Sequence, residues 1–254
     1  MAKPTKRQKN ILFFVALAVY AAIIGLLLRD HYLQLTDTAT EPAPAPRVTV
    51  PKKEAPAAPV PKPVNLPSEV MLDVPFMVQA PFANWDALHQ ETCEEASLMM
   101  VRYFRLKQSF GSLQSIDDEL KSLVAWQTGK GYEYDVTVKE LSRIARDYYS
   151  MSSGRIISNP TLNEIKKELA DGRPVIIPAA GRLLNNPNFT AGGPPYHMLV
   201  IRGYDANGFI TNDPGTRRGE KFRYTFDNLM DSIHDWTGNK STITTGDKAV
   251  LVFD

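Results

Sequence analysis

The apolar positions of this 254-residue chain change their spacing along its length. From Ile11 to Leu28 they run unbroken, ILFFVALAVYAAIIGLLL, with no charge. From His31 to about Ser68 they thin out among prolines at 42, 44, 46, 51, 56, 59, 61, 63 and 67. Beyond that the period is helical. Ala96, Met99, Met100, Tyr103 and Phe104 fall on one helix face, which predicts a helix from Cys93 to about Leu106. Thr92 with Glu95, Thr137 with Glu140, and Thr161 with Glu164 have the spacing of capping boxes. They predict helix starts at Cys93, after Thr137 (to about Tyr149) and after Thr161 (to about Ala170). Another helix is expected from Ser115 to Gln127, closed by Gly129-Lys130-Gly131, and an amphipathic one from Asp227 to Trp236, carrying His234.

After Asp171-Gly172 the pattern turns to short β-branched or aromatic runs: 173–178, 198–204, 208–211, 222–226 and 249–253. Bounded by Gly, Pro, Asn and Asp, these read as strands. Asp205-Ala206-Asn207-Gly208 joins two of them as a hairpin. Helices first and an antiparallel sheet second make an α+β fold.

The apolar run changes the picture of where this domain works. Eighteen residues at about 1.5 Å rise span about 27 Å, close to the hydrocarbon thickness of a bilayer. Lys3, Lys6, Arg7 and Lys9 precede the run, whereas Arg29 and Asp30 after it cancel. That asymmetry places the N-terminus in the cytoplasm and the rest outside. No small-residue cleavage site follows closely, so an uncleaved anchor is favoured over a signal peptide. The expected organisation is a basic cytoplasmic segment (1–10), a transmembrane anchor (11–28), a Pro/Ala-rich extended tether (29–68) and one folded domain (69–254).

Charge and composition narrow the function. The first 68 residues hold nine Lys and Arg against four Asp and Glu, leaving 20 against 24 in the domain, a net of −4. Without a basic face, nucleic acid is not an expected partner. The four histidines are scattered and there is no HExxH or CxxC, so neither metal nor other cofactor is expected.

Cys93 is the one cysteine, so no internal disulfide can form. As the first residue of a helix it would meet unpaired amides that lower a thiol pKa. The alternative is a buried cysteine acting as a small hydrophobe. His197 stands at the start of the first hairpin strand and Asp213 at the end of the second. Strand pairing would bring them together if a bulge or twist aligned them. The alternative for His197 is a satisfied surface histidine after a loop; Asp213-Pro214-Gly215-Thr216 also reads as a turn, which is compatible with presenting a fixed carboxylate. His89 reads as exposed loop. Trp85 and Trp236 read as packing residues, with shielding of the His–Asp pair as the alternative. Glu94 would be a solvated charge or a selector of basic substrate groups. The loop 185–195 reads as a flap over the cleft or as ordinary loop.

In order along the chain, Gln79-Ala80-Pro81 leading to Trp85, then Cys93-Glu94-Glu95-Ala96-Ser97, then His197 through Asp205, then Asn212-Asp213-Pro214-Gly215-Thr216, resemble the bacterial double-glycine-type (bacteriocin-processing-like) cysteine peptidase family. The resemblance covers about Val74 to Phe226. It implies a papain-like fold, Cys93 as nucleophile, His197 as base, Asp213 as the residue that orients it, and an oxyanion-hole glutamine best matched by Gln79, with Gln90 as rival. The nucleotide-binding and multi-span domains of the exporter members are absent, which points to a stand-alone, exported relative. The expected protein is a membrane-tethered peptidase of exported or cell-surface proteins with a monomeric catalytic domain. A cell-wall amide hydrolase or transpeptidase, or a non-catalytic binding module, are the alternatives.

Overall fold

Strands that are apolar on both sides need cover on both faces, and this sheet has it. In the computed structural model the described residues are 65–151 and 154–254, together with position 24. The expected anchor (11–28) and tether (29–68) lie outside them, apart from position 24 and residues 65–68. Among the described residues no helix is long and apolar enough to cross a membrane.

The first helix, α1 (Cys93–Leu106), is followed by α2 (Leu113–Gly129) and α3 (Val138–Tyr149). Strand β1 (Val70–Met71) precedes them; β2 (Gly154–Ser158), α4 (Leu162–Ala170), β3 (Val175–Ala180), β4 (Tyr196–Asp205), β5 (Gly208–Asn212), β6 (Phe222–Tyr224), α5 (Phe226–Ser232) and β7 (Ala249–Phe253) follow. The strands form one antiparallel sheet in the order β2-β7-β3-β4-β5-β6, with β1 on the far end of β4. Met198, Val200, Ile176 and Leu251 pack with Met99, Leu120 and Leu141 of α1–α3 on one face. Leu199, Ile201, Val175 and Val252 pack with Ile165, Leu169 and Leu229 of α4 and α5 on the other.

Two of the three capping boxes form as expected: Thr137 with Glu140, and Thr161 with Glu164, each bond reciprocally. The third does not. Thr92, at φ −105° and ψ 27°, makes no cap bond. Its hydroxyl instead donates to Gln79 O (3.2 Å) and His89 O (3.4 Å). Neither carboxyl oxygen of the buried Glu95 bonds back to the helix end. Cys93 is nevertheless the first helical residue. The second helix starts at Leu113 rather than Ser115, because Ser112 accepts from Ser115 N and is the cap. The last helix ends at Ser232. His234 lies beyond it, its backbone N–H bonding to Pro178 O in an isolated bridge region with β3.

The β4–β5 hairpin carries one extra residue. Asp205 pairs with Gly208, Tyr204 with Phe209 and Gly203 with Ile210, but Ile201 pairs with Thr211 and Val200 with Asn212. Arg202 is the bulge, and Leu72, the residue after β1, holds it there. Leu72 N donates to Arg202 O, Arg202 Nε donates back to Leu72 O, and Arg202 Nη1 reaches Asn212 Oδ1 (3.2 Å). Gly203 makes the approach possible: a Cβ there would stand 2.2 Å from Val70 O.

Candidate active site

A bulge shifts register by one, and in a strand that exchanges the faces of all following side chains. Continuing the observed register past Val200–Asn212 sets Asp213 opposite Leu199, two residues from His197 and on its face. Without the bulge it would oppose Val200, on the other face. His197 Nε2 accordingly lies 2.7 Å from Asp213 Oδ1, with His197 1% and Asp213 0% exposed.

Asp213 is held from all sides. Gly215 N donates to Oδ1 (3.0 Å), while Tyr224 OH (2.7 Å) and Asn186 Nδ2 (3.2 Å) donate to Oδ2. Burial works against the charge, but the His197, Tyr224 and Gly215 contacts outweigh it and hold the carboxyl below its ordinary value. Sequence reading did not find Tyr224 or Asn186. One is an ordinary strand tyrosine on the page, and the other lies in the 185–195 loop without any local motif. That loop also presses the edge of Phe189 on the His197 ring (5.3 Å, 83°). Gly215 leaves room for the imidazole, since a Cβ there would meet His197 Cε1 at 2.9 Å.

Cys93, His197 and Gln79 line one cavity of about 880 Å³, with Trp85, Phe189 and Tyr196 among its other walls. Trp236 packs against Tyr196 at a tilt (5.3 Å, 42°) rather than covering the His–Asp pair. Gln79 spans the two halves of the site. Its backbone N–H bonds to Pro214 O (3.1 Å), next to Asp213. Its side-chain Nε2 donates to His89 O (2.9 Å) and Gln90 O (3.2 Å), in the turn that leads to Cys93. Gln90 also borders the cavity, but it is exposed and its amide donates away, to Trp85 O (2.8 Å).

Two expectations about charge fail here. The Cys93 thiol is 4% exposed and is not bonded to His197; Sγ donates to Glu94 Oε2 at 3.0 Å. Burial, followed by the Glu94 carboxyl, pushes the thiol well above its ordinary value, so the helix N-terminus does not prevail. Glu94 is not solvated but 0% exposed, and burial together with Glu95 and Asp135 pushes its carboxyl well up. His89, expected in an exposed loop, is buried. Its Nδ1 lies 2.8 Å from Asp86 Oδ1 and its Nε2 2.7 Å from Asp117 Oδ1, which ties the turn before Cys93 to α2. Among the described residues no cluster of His, Cys, Asp and Glu could hold a metal ion.

The family model described as "Peptidase_C39 like family" matches residues 71–243, which include all four candidate site residues. Among solved structures, one described as a "putative C39-like peptidase from Bacillus anthracis" is similar at 16% identity, covering 73% of this chain and 98% of that one, with a TM-score of 0.47. No curated protein matches.

Proposed function

From the chain's membership of the Peptidase_C39 like family, we propose that it is a cysteine peptidase in which Cys93 is the nucleophile, His197 the base, Asp213 the orienting carboxylate and Gln79 the oxyanion-hole side chain. The observation that carries the reading is the His197–Asp213 bond at the edge of the cavity that Cys93 also lines. With Nε2–H donating to Asp213, the tautomer is fixed and Nδ1 is left to accept the thiol proton.

Catalysis then proceeds through this chain's own groups. The Cys93 thiol turns from Glu94 to His197, which takes its proton. The thiolate attacks the scissile carbonyl. As the first helical residue, Cys93 has a backbone N–H with no intrahelical acceptor. That N–H and the Gln79 amide, released from a backbone carbonyl, receive the oxyanion. His197 protonates the leaving amine, then takes a proton from the water that releases the acyl group.

The cellular setting belongs to the same proposal. The uncharged run 11–28, the basic residues before it and the proline-rich stretch after it support a single-pass anchor, a tether and a domain acting outside the cytoplasm on exported or surface proteins. A domain that resists external protease on intact cells would sink the outside placement. For the activity, the full chain and its Cys93→Ala variant are incubated with a protein mixture and, separately, with purified peptidoglycan, and new N-termini are sequenced. New peptide N-termini with the wild type alone support the peptidase. Release of wall fragments alone would replace it with a cell-wall amidase.

A further inference from the structure

Neighbouring residues on a helix point in different directions and do not ordinarily meet. Cys93 and Glu94 do meet: Sγ lies 3.0 Å from Glu94 Oε2. The carboxyl is fastened in that pose from the other side, because Val136 N donates to Oε1 (3.2 Å) across 42 residues of sequence. Val136 is itself fixed through its carbonyl, which takes the Tyr196 hydroxyl at 2.9 Å. Tyr196 is the residue before His197. A bonded path therefore runs from the nucleophile through Glu94 and Val136 to the strand that carries the base. Burying a carboxyl completely is costly, and here it stands near further acidic groups. A function for the arrangement is therefore to be sought in the one reactive atom it touches.

We propose that Glu94 is the resting partner of the nucleophile: it holds the Cys93 thiol, uncharged, away from His197 until the thiol turns to the imidazole and the reaction begins. The second half rests on the peptidase reading above; the first does not. The turn is a rotation about the Cys93 Cα–Cβ bond between staggered positions. The S–H bond breaks only when His197 Nδ1 takes the proton, and Glu94 carries the same number of protons before and after. At rest, an uncharged buried thiol is a poor target for oxidants and electrophiles, because the thiolate is the reactive species.

Burial and the acidic groups around the pair favour this state, while Lys240 and His197 stand as the cationic or basic groups that oppose it. Glu95, on the same helix, and Asp135, on the segment before α3, act on the pair directly; Glu91, on the turn before the helix, acts on Glu95, and Asp235, beyond α5, on Tyr196. Lys240 pairs with Glu91 (2.6 Å) and Asp135 (3.1 Å). On the sheet side stand Tyr196 and the His197–Asp213 pair. Burial and the neighbouring carboxylates raise both the thiol and the Glu94 carboxyl, which agrees with the geometry.

The test reads alkylation of Cys93 in the full chain by iodoacetamide, followed by mass spectrometry from pH 6 to 9, in wild type, Glu94→Gln and Glu94→Asp. Gln keeps an acceptor for Val136 N and presents an N–H to sulfur, so the thiolate becomes easier to form. Alkylation at pH 7 should rise about tenfold or more, one pKa unit of thiolate. Asp withdraws the carboxyl from sulfur by one methylene and should give a smaller rise. A Glu94→Gln variant that melts like wild type yet is alkylated no faster overturns the proposal. If that variant does not fold, the Asp variant and wild type decide. A wild-type rate at pH 7 well above that of free cysteine would show that the thiol is not held in reserve. Hydrolysis is assayed in parallel. Faster alkylation of Glu94→Gln with no hydrolysis by wild type removes the peptidase and leaves the resting pair; hydrolysis with unchanged alkylation does the reverse.

Discussion

Arg202 and His197 are five residues apart on one strand, yet the first decides what the second can touch. Because Arg202 is bulged and anchored to Leu72, Asp213 arrives on the face of His197 and accepts its Nε2 at 2.7 Å. Arg202 is 2% exposed, and its guanidinium bonds both Leu72, just past the first strand, and Asn212, the residue before Asp213.

Replacing Asp213 by Asn should cost about 10²–10⁴-fold in turnover, since the amide cannot fix the tautomer of His197 or offset its charge. The pH dependence of stability follows from the sign of the shift. The folded carboxyl lies below its unfolded value of 3.8, so its stabilising contribution is present above that pH and is lost as pH falls through the folded value. Thermal melts of wild type and Asp213→Asn should differ at pH 7 and converge as pH drops below about 4. Asp205→Asn is the comparison. Asp205 sits in the hairpin turn, accepting from Asn207 N (2.8 Å) and pairing with Arg223, and its loss should leave kcat within about twofold. An inactive Asp205→Asn beside an active Asp213→Asn would refute the triad assignment.

Gln79→Ala should lower kcat by about 10²–10³-fold with a much smaller change in KM, the loss of one oxyanion donor. Gln90→Ala should not, because its exposed amide donates to Trp85 O. The reverse pattern in steady-state kinetics would move the role to Gln90.

Glu95 offers a test of burial without catalysis. Both of its oxygens are buried without a well-formed hydrogen bond, and burial, only partly offset by its own backbone N–H and the Gln127 side chain, pushes its carboxyl up to about 8. A raised acid favours the folded state while protonated. Its contribution is full below the unfolded value of 4.5 and is lost as pH rises to about 8. Asp235, raised to about 6, acts in the same direction over the range from 3.8. Wild type should therefore melt higher at pH 5 than at pH 8. Glu95→Gln should be the more stable protein at pH 8 by at least about 1 kcal/mol, since one pKa unit is worth about 1.4 kcal/mol. A Gln variant that melts lower than wild type at pH 8 would show that the carboxylate is satisfied after all.

The sequence by itself determined whatever depends on near neighbours. The capping boxes at Thr137 and Thr161 began α3 and α4, and the apolar spacing after Cys93 carried α1 to Leu106. Gly208 closed the hairpin. The ordered motifs around Cys93, His197 and Asp213 picked out residues that the fold gathers at one cavity or, for Asp213, directly behind it. The tertiary structure decided what depends on contacts distant in sequence. Thr92 lost its cap because Gln79 O and His89 O take its hydroxyl. Strand β2 escaped notice because its half-exposed Gly154–Ser158 gains its place only by pairing with β7. The Arg202 bulge is held by Leu72, just past β1 and 130 residues earlier. The thiol of Cys93 is raised rather than lowered because desolvation and the carboxyls of Glu94, Glu95 and Asp135 outweigh a helix end, and burial is a property of the folded whole.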